Sequence, residues 1–391
     1  MKLTLRQQLT QFAHTLQSQL FPVLEEATGP LDRTARRLIA ILEMVPLGRF
    51  VPSSRGWMGR PSKERYAIAS AFVAKSVYGM AHTRQLIERL RQDAQLRTIC
   101  GFATARHLPH ESTFSRAFAE FASMELPQFV HEALIAETQK DRLIGHISRD
   151  STAVEARERF PGRPTAGAAK APQPKGKRGR KPGKRGPHKR HKGGKAKYAP
   201  PSGKRLHRQR SMKLVQMLRE LPQHCSLGVK TAGGGNQKYW RGYKLHLDVA
   251  DGQIPISGIL TAASLHDSQA AIPLATMTGQ RVTNLYDVMD TAYDAIEILE
   301  HSKSLGHVPI VRPAKRGKQD AAPEQHPAGR TFSWAEEDRF RERTTVERVY
   351  ARLKDEFGGR QIRVRGAQKI MAHLMFGVLA LTADQILKLR L

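Results

Sequence analysis

Apolar residues recur every three to four positions over Leu5–Leu24 and again over Leu31–Met44, the spacing that gives a helix one buried face. The same spacing predicts a helix over Ser62–Gly79, with Ser62 placed after Pro61 as an N-cap. Thr83 is positioned to cap RQLIERLRQDAQLR, and Ser112 to cap TFSRAFAEFA. Further along, the period changes to two. Leu245, Leu247 and Val249 alternate with polar residues across Tyr243–Ala250. Asp251–Gly252 then reads as a turn and IPISGILTAAS as the returning strand of a hairpin. NLYDVMD, Asn284–Asp290, predicts a buried strand, followed by a helix from about Ala292 to Glu300. VPIVRP, Val308–Pro313, predicts another strand, and two helices, roughly Trp334–Phe357 and Gly366–Leu389, close the chain. Helices first, then strands mixed with helices, predict an all-helical region ahead of an α/β domain, α+β overall.

Charge sharpens this picture. The 391 residues suit two or three domains and carry a formal net charge of +30. Such a chain is drawn to polyanions, with DNA or RNA the usual partner. A basic structural RNA-binding protein would share the charge. The excess is concentrated: Pro161–Arg210 holds 18 Lys and Arg and no Asp or Glu, leaving a net charge of +12 on the rest. Rich in Gly and Pro and almost free of apolar residues, this block cannot offset its chain entropy by burial and is expected to be disordered alone. It reads either as a phosphate-binding tether without sequence preference or as a tolerated surface insertion.

Other classes drop out. Two cysteines, Cys100 and Cys225, exclude a disulfide framework and a Cys-rich zinc site. MKLTLRQQLTQF is too polar for a signal peptide. The longest apolar run, near Leu374–Leu381, is far short of the ~20 residues of a membrane span. The expectation is a soluble, intracellular protein with no membrane partner. The helices before the basic block, short and joined by tight turns, fit a helix-turn-helix-like DNA reader or a plain helical bundle.

Three acidic residues stand out by their setting. Asp150 follows apolar Leu143, Ile144 and Ile147 and precedes Ser151 and Thr152. Asp290 ends NLYDVMD, where a strand gives way to a helix, a common place for functional groups in α/β sheets. Glu347 lies within RERTTVERVYARLKDEF. At ~100° per residue, Phe340, Arg343, Glu347 and Lys354 fall within about 60° of one another around a continuous helix. Val346, Tyr350, Leu353 and Phe357 form the adjoining apolar stripe. A carboxylate between two cations suits a metal ion beside phosphates; an ordinary Arg343–Glu347 surface pair at i,i+4 has the same spacing. His266 and Asp267 read as capping or strand-end residues before ligands, and Tyr293 as a packed aromatic. Trp240 suits either the core or a base-stacking platform. Asp287 and Asp294 flank Asp290, and residue chemistry does not choose among the three.

The segment from Phe340 to Lys354 resembles the Tyr-x2-Arg-x3-Glu-x6-Lys signature of bacterial insertion-sequence transposases. Phe340 stands where that signature has Tyr, which removes a hydroxyl and any hydrogen bond it makes to DNA. HISRDSTAV (His146–Val154), YWRGYKLHL (Tyr239–Leu247), TAASLHDS (Thr261–Ser268) and DVMDTAYDA (Asp287–Ala295) resemble that family's catalytic strands in order. GRPSKERYAIASAFVAKSVYGMAHTRQLIERLR from Gly59, CGF at Cys100–Phe102 and PHESTFSRAF from Pro109 resemble its preceding helical domain. The resemblance covers most of the chain from Leu47 onward, apart from the basic block.

The resemblance implies a ribonuclease-H-like catalytic domain with a mixed sheet, and an Asp150, Asp290, Glu347 triad. Residues 1–46 would form an N-terminal helical segment and 47–140 a helix-turn-helix-like DNA-binding domain. Residues 141–391 would be catalytic, interrupted by a disordered basic insertion at 161–212. The activity implied is metal-dependent cleavage of double-stranded DNA at element ends and strand transfer to a target. Two Mg²⁺ or Mn²⁺ ions would be held by the triad, as in-line displacement with two metals requires. Asp150 would bridge them, while Arg343, Lys354 and Phe340 would contact DNA. A homodimer on DNA follows by analogy, with a bacterial cytoplasmic location on the nucleoid. A metal-dependent nuclease that cuts without joining, and a catalytically inactive derivative acting as a repressor or end-binding protein, are the competing expectations.

Overall fold

The computed structural model describes residues 4–51, 65–158, 205–231, 236–313 and 332–389. Helix α1 (Leu5–Thr15) starts at Thr4, which forms a capping box with Gln7. A π-helical stretch, Leu16–Leu20, joins it to α2 (Phe21–Thr28), so the run foreseen over Leu5–Leu24 is helical but not one regular helix. Asp32 caps α3 (Arg33–Met44) by accepting from the Ala35 N–H at 2.6 Å. A short α4 (Leu47–Phe50) leads towards α5 (Arg65–Val77), in which every residue from Ala67 to Val77 is buried. Ser62, the expected cap, lies outside the described residues.

Two caps differ from expectation. Helix α6 (Thr83–Gln92) is entered through His82, whose N–H donates to Gln85, and α8 (Glu111–Ser123) through His110, whose Nδ1 accepts from the Ser112 N–H. Thr83 and Ser112 are already inside their helices. The single helix expected over RQLIERLRQDAQLR is two, because Asp93 leaves helical geometry to cap α7 (Ala94–Ile99) through the Leu96 N–H. Helix α9 (Leu126–Gln139) then delivers the chain to the sheet.

Among the described residues the sheet has six strands: β1 (Leu143–Glu155), β2 (Ser226–Thr231), β3 (Gln237–Ala250), β4 (Ile254–Ala262), β5 (Thr283–Met289) and β6 (Val308–Val311). Their order is β2-β3-β1-β5-β6, with β4 also on β3. β1 is antiparallel to β3 and parallel to β5, giving the mixed sheet expected. Gly242 pairs with both Glu155 of β1 and Ser226 of β2, so β2 and β4 lie end to end along one edge of β3. A side chain at this position is excluded: φ is +151° and a Cβ would meet the Val154 carbonyl oxygen at 2.0 Å. The β3–β4 hairpin turns at Asp251–Gly252 as expected. β2 was not foreseen from the sequence, since its apolar Leu227 and Val229 are both 47% exposed.

One face of the sheet is covered by α10 (Arg205–Gln209), α11 (Leu214–Glu220), α12 (Ala271–Gly279) and α13 (Ile296–Ser304). Most of the basic insertion lies outside the described residues, but its end corrects the expectation of disorder. Leu206 and Met212 pack beside Met217, Ile272 and Tyr293, and buried Gln209 donates to the Gln269 carbonyl. The opposite face carries α14 (Trp334–Arg341), α15 (Thr344–Asp355) and α16 (Ala367–Lys388). The helix expected over Trp334–Phe357 is therefore broken at Glu342–Arg343.

Helix α16 contains the apolar run near Leu374–Leu381. Counted as a whole helix it is 22 residues long and apolar enough to cross a membrane, yet 83% of its most apolar window is buried within the fold. It lies between α3, α5, α8 and α9 on one side and β4 and α15 on the other. Gly377 permits the close approach, since a Cβ there would meet the Phe357 carbonyl at 2.8 Å. One apolar core consequently runs from Leu38 and Phe72 through Phe376 to Leu245 and Leu247.

Candidate active site

Asp150 sits in the central strand β1, paired in register with Leu247 of β3. Asp290 is the first residue past β5, and it caps the following 3₁₀ turn by accepting from the Ala292 N–H at 2.9 Å. The β1–β5 register, which matches Arg149 with Met289, places Asp150 and Asp290 side by side on the face that α15 covers. Glu347 comes from the first turns of α15, where the helix dipole favours a carboxylate. All three line one cleft of about 550 Å³, together with Arg343, Lys354, Lys244 and a fourth carboxylate, Asp267.

The break before α15 explains how Glu347 reaches this cleft. The Ser148 hydroxyl of β1 donates to the Glu342 carbonyl at 2.7 Å, holding the chain where α14 ends. Arg343 becomes the N-cap residue of α15 and Phe340 is left in α14. One turn beyond Glu347, buried Tyr350 fixes the helix to the strands. Its hydroxyl donates to the Asp150 carbonyl at 2.7 Å, accepts from the Leu247 N–H at 3.0 Å, and lies 3.0 Å from the Leu245 carbonyl. The stripe of Val346, Tyr350, Leu353 and Phe357 read from the sequence is buried throughout.

The carboxylates differ electrostatically. Burial pushes the Asp150 carboxyl up to about 7, with neighbouring Asp290 and Asp267 adding to the rise against Arg343 and the Ser151 N–H. Asp290 is raised by burial and by Asp267. Burial acts upward on Asp267 as well, but His246 and Lys244 outweigh it and hold the group low; Lys244 Nζ is 2.8 Å from its carboxylate. Glu347 accepts from Arg343 at 2.8 Å, the i,i+4 pair foreseen as the plain structural alternative. Among the described residues, no three His, Cys, Asp or Glu side chains stand close enough together to hold one metal ion. The three carboxylates share the cleft without converging on a point.

Of the other residues singled out, Lys354 lines the cleft and donates to Thr152 Oγ1 at 2.6 Å. Burial, with Arg360, Lys230 and Lys238 nearby, holds its ammonium below the usual lysine value. Phe340 is not among the residues lining the cleft; its ring packs on Phe332, with the Arg312 guanidinium 4.7 Å from its centroid. Tyr293 is buried. Trp240 is buried too, with its indole N–H donated to the Tyr243 carbonyl at 3.1 Å and its ring against Gly228. His266 caps the Asp267–Ala270 turn, as read. Lys244 and Asp267 are the cleft residues whose position the sequence reading underrated. The HDS pattern contains Asp267, but its spacing signals a cap just as well.

Two family models match the chain. One, described as Transposase DDE domain, matches residues 219–383. The other, Transposase domain (DUF772), matches residues 25–120. The chain belongs to the DDE transposases. No curated protein gave a match. The mixed sheet following an N-terminal helical region is the ribonuclease-H-like arrangement of that family, and the transposase acts on DNA. DDE transposases transfer nucleotidyl groups and in general use divalent metal ions. The first match begins after β1 and so includes Asp290 and Glu347 but not Asp150; the second runs from α2 into α8.

Proposed function

We propose that the transposase cuts the double-stranded DNA ends of an insertion sequence and joins them to a target, using Asp150, Asp290 and Glu347. The observation that carries this reading is that three acidic residues, from β1, the end of β5 and α15, line one cleft rimmed by Lys and Arg. The rise of Asp150 towards neutrality supports it, because a carboxyl buried beside two others is short of positive charge. Hard oxygen donors suit Mg²⁺ or Mn²⁺. Asp150, Asp290 and Glu347 would be the residues that hold them. Bound there, they would supply Lewis acidity to the phosphodiester and make the attacking hydroxyl easier to deprotonate.

The chain supplies the rest. The sheet holds Asp150 and Asp290 side by side, and Tyr350 holds the Glu347 helix against them. Arg343 would trade Glu347 for a DNA phosphate, and Lys354 would hold a second, since both line the cleft. Phe340 offers DNA a ring beside the Arg312 and Arg343 guanidiniums in place of a hydroxyl. In this reading residues 1–46 are a helical lead-in, 47–140 recognise DNA in a helix-turn-helix-like manner, and 141–391 perform the chemistry. Residues 161–212 add a basic tether, and two copies act together on the two ends.

A second reading is a DNA-binding derivative that no longer cuts. One observation favours it: the carboxylates do not converge, and Glu347 is engaged by Arg343. Cleavage of end-bearing duplex DNA separates the two. With Mg²⁺ or Mn²⁺ the wild-type protein should nick the ends and form joined products. Asp150→Asn, Asp290→Asn and Glu347→Gln should each bind DNA and not cut it. A variant that cuts near-normally removes its residue from the site. A wild-type protein that binds the ends and never cuts them establishes the second reading.

A further inference from the structure

Lys230 of β2 and Lys238 of β3 stand directly opposite each other in the β2–β3 ladder. Like charges at such a cross-strand position repel. Among the described residues neither ammonium has an ion-pair partner, and both are exposed. Cross-strand partners share a face, so the pair points the same way as Gly228 and Trp240, two positions along the ladder. That face is the cleft face: Lys230, Lys238 and Trp240 all line the wall that carries Lys354 and Arg360. Glu155 is the acidic residue on this wall, and Arg360 is paired with Asp355. Leu227 and Tyr239 do not line the cleft and are half-exposed, while Val229 lines it beside the lysines. With Lys230, Lys238 and Lys354 on this wall against Glu155, the ribbon is arranged for an external anion.

We propose that the Lys230–Lys238 pair grips two phosphates of a DNA strand beside the carboxylates, making the β2–β3 ribbon a backbone clamp on the substrate. Cations paired across a ladder are close enough to take neighbouring phosphates of one strand, and a backbone contact carries no sequence information of its own. The ribbon would therefore fix the register of the strand in the cleft while leaving sequence choice to other parts of the chain. This rests on the reading that the cleft takes DNA. It does not depend on which carboxylates cut.

The test is equilibrium binding of a labelled duplex to the full-length protein, in EDTA, across a series of KCl concentrations. Each phosphate contact contributes ~0.9 to the slope of log affinity against log salt. Lys230→Gln and Lys238→Gln should each make the slope shallower by about 1, and the double variant by about 2. Lys238→Glu should match the double variant in slope while keeping a folded ribbon, because it gives Lys230 a cross-strand partner. Its melting temperature should not fall. A control double variant at exposed positions away from the cleft, Lys140→Gln with Lys303→Gln, should leave the slope unchanged. If the cleft variants change the slope no more than this control, the clamp is refuted. The measurement reads binding alone, without metal, so a failure of the cleavage reading leaves it intact. A wild-type protein without salt-dependent DNA binding would overturn both.

Discussion

Arg149 and Asp150 are neighbours in β1, and they point to opposite faces of the sheet. On the Arg149 face the charges have partners inside the fold, although burial still holds Asp248 above the usual carboxylate range. Its guanidinium donates to both carboxylate oxygens of Asp248, at 2.8 and 2.7 Å, with Asp287 3.9 Å away. Thr278 donates to Asp248, and Ser302 to Asp287, which also meets His307 at 3.2 Å. Burial pushes Asp287 upward, but Arg149, His307 and Ser302 outweigh it and hold the group down at about 2. On the Asp150 face burial is not compensated, and the carboxyl is pushed up to about 7. The two faces carry the same residue types a few ångströms apart and resolve them differently. Where charge only has to be buried, the fold supplies partners. On the Asp150 face the fold leaves a buried carboxyl short of them, which lowers stability once that group ionises.

The largest effect should come from breaking the settled face. Arg149→Met leaves Asp248 and Asp287 buried without their cation, and should cost about 3–5 kcal/mol in a denaturant titration. A loss under 1 kcal/mol would mean that the network is not holding the sheet. A smaller effect, of the opposite sign, is expected at the cleft. Asp150 binds its proton more tightly when folded, so its contribution to stability falls as pH rises from about 4 to about 7 and stays low above that. Asp150→Asn, neutral at every pH, should therefore exceed the wild type in metal-free stability at pH 8 by roughly 1–3 kcal/mol. The gain should fade below pH 7 and vanish near pH 4. No gain at pH 8 would erase the contrast between the faces. The smallest effect calibrates both: Arg341, 77% exposed and 3.6 Å from Asp338, sits in water, and Arg341→Ala should change stability by less than about 0.5 kcal/mol.

The comparison also shows why the sequence could not choose among Asp287, Asp290 and Asp294 by chemistry. Asp287 and Asp290 are three residues apart in the same run, and β pleating sends them to opposite faces. Their difference lies in what each face brings from elsewhere: Arg149 and His307 to one, Asp150 and Asp267 to the other. The helix break at Glu342–Arg343 was hidden for a similar reason. RERTTVER contains no Gly or Pro, and the carbonyl at the break, Glu342, is bonded by Ser148, nearly two hundred residues away. The caps at His82 and His110 were missed because Ser and Thr neighbours are the stronger local signal. β2 was missed because its outward apolar residues break the usual alternation.

By itself the sequence determined the periodic elements, the helical region ahead of a mixed sheet, the concentration of basic charge and the spacing that pointed to a transposase. These are local properties: helix and strand periods, turn residues and charge runs are written within a few residues of one another. Only the tertiary structure decided which acidic residues share a cleft, which are neutralised beneath it, and where the last long helical segment breaks. It also decided that an apolar helix long enough for a membrane serves as the centre of the core. Those outcomes depend on residues distant in the chain, and a charge or an apolar face takes its meaning from the partner that folding places against it.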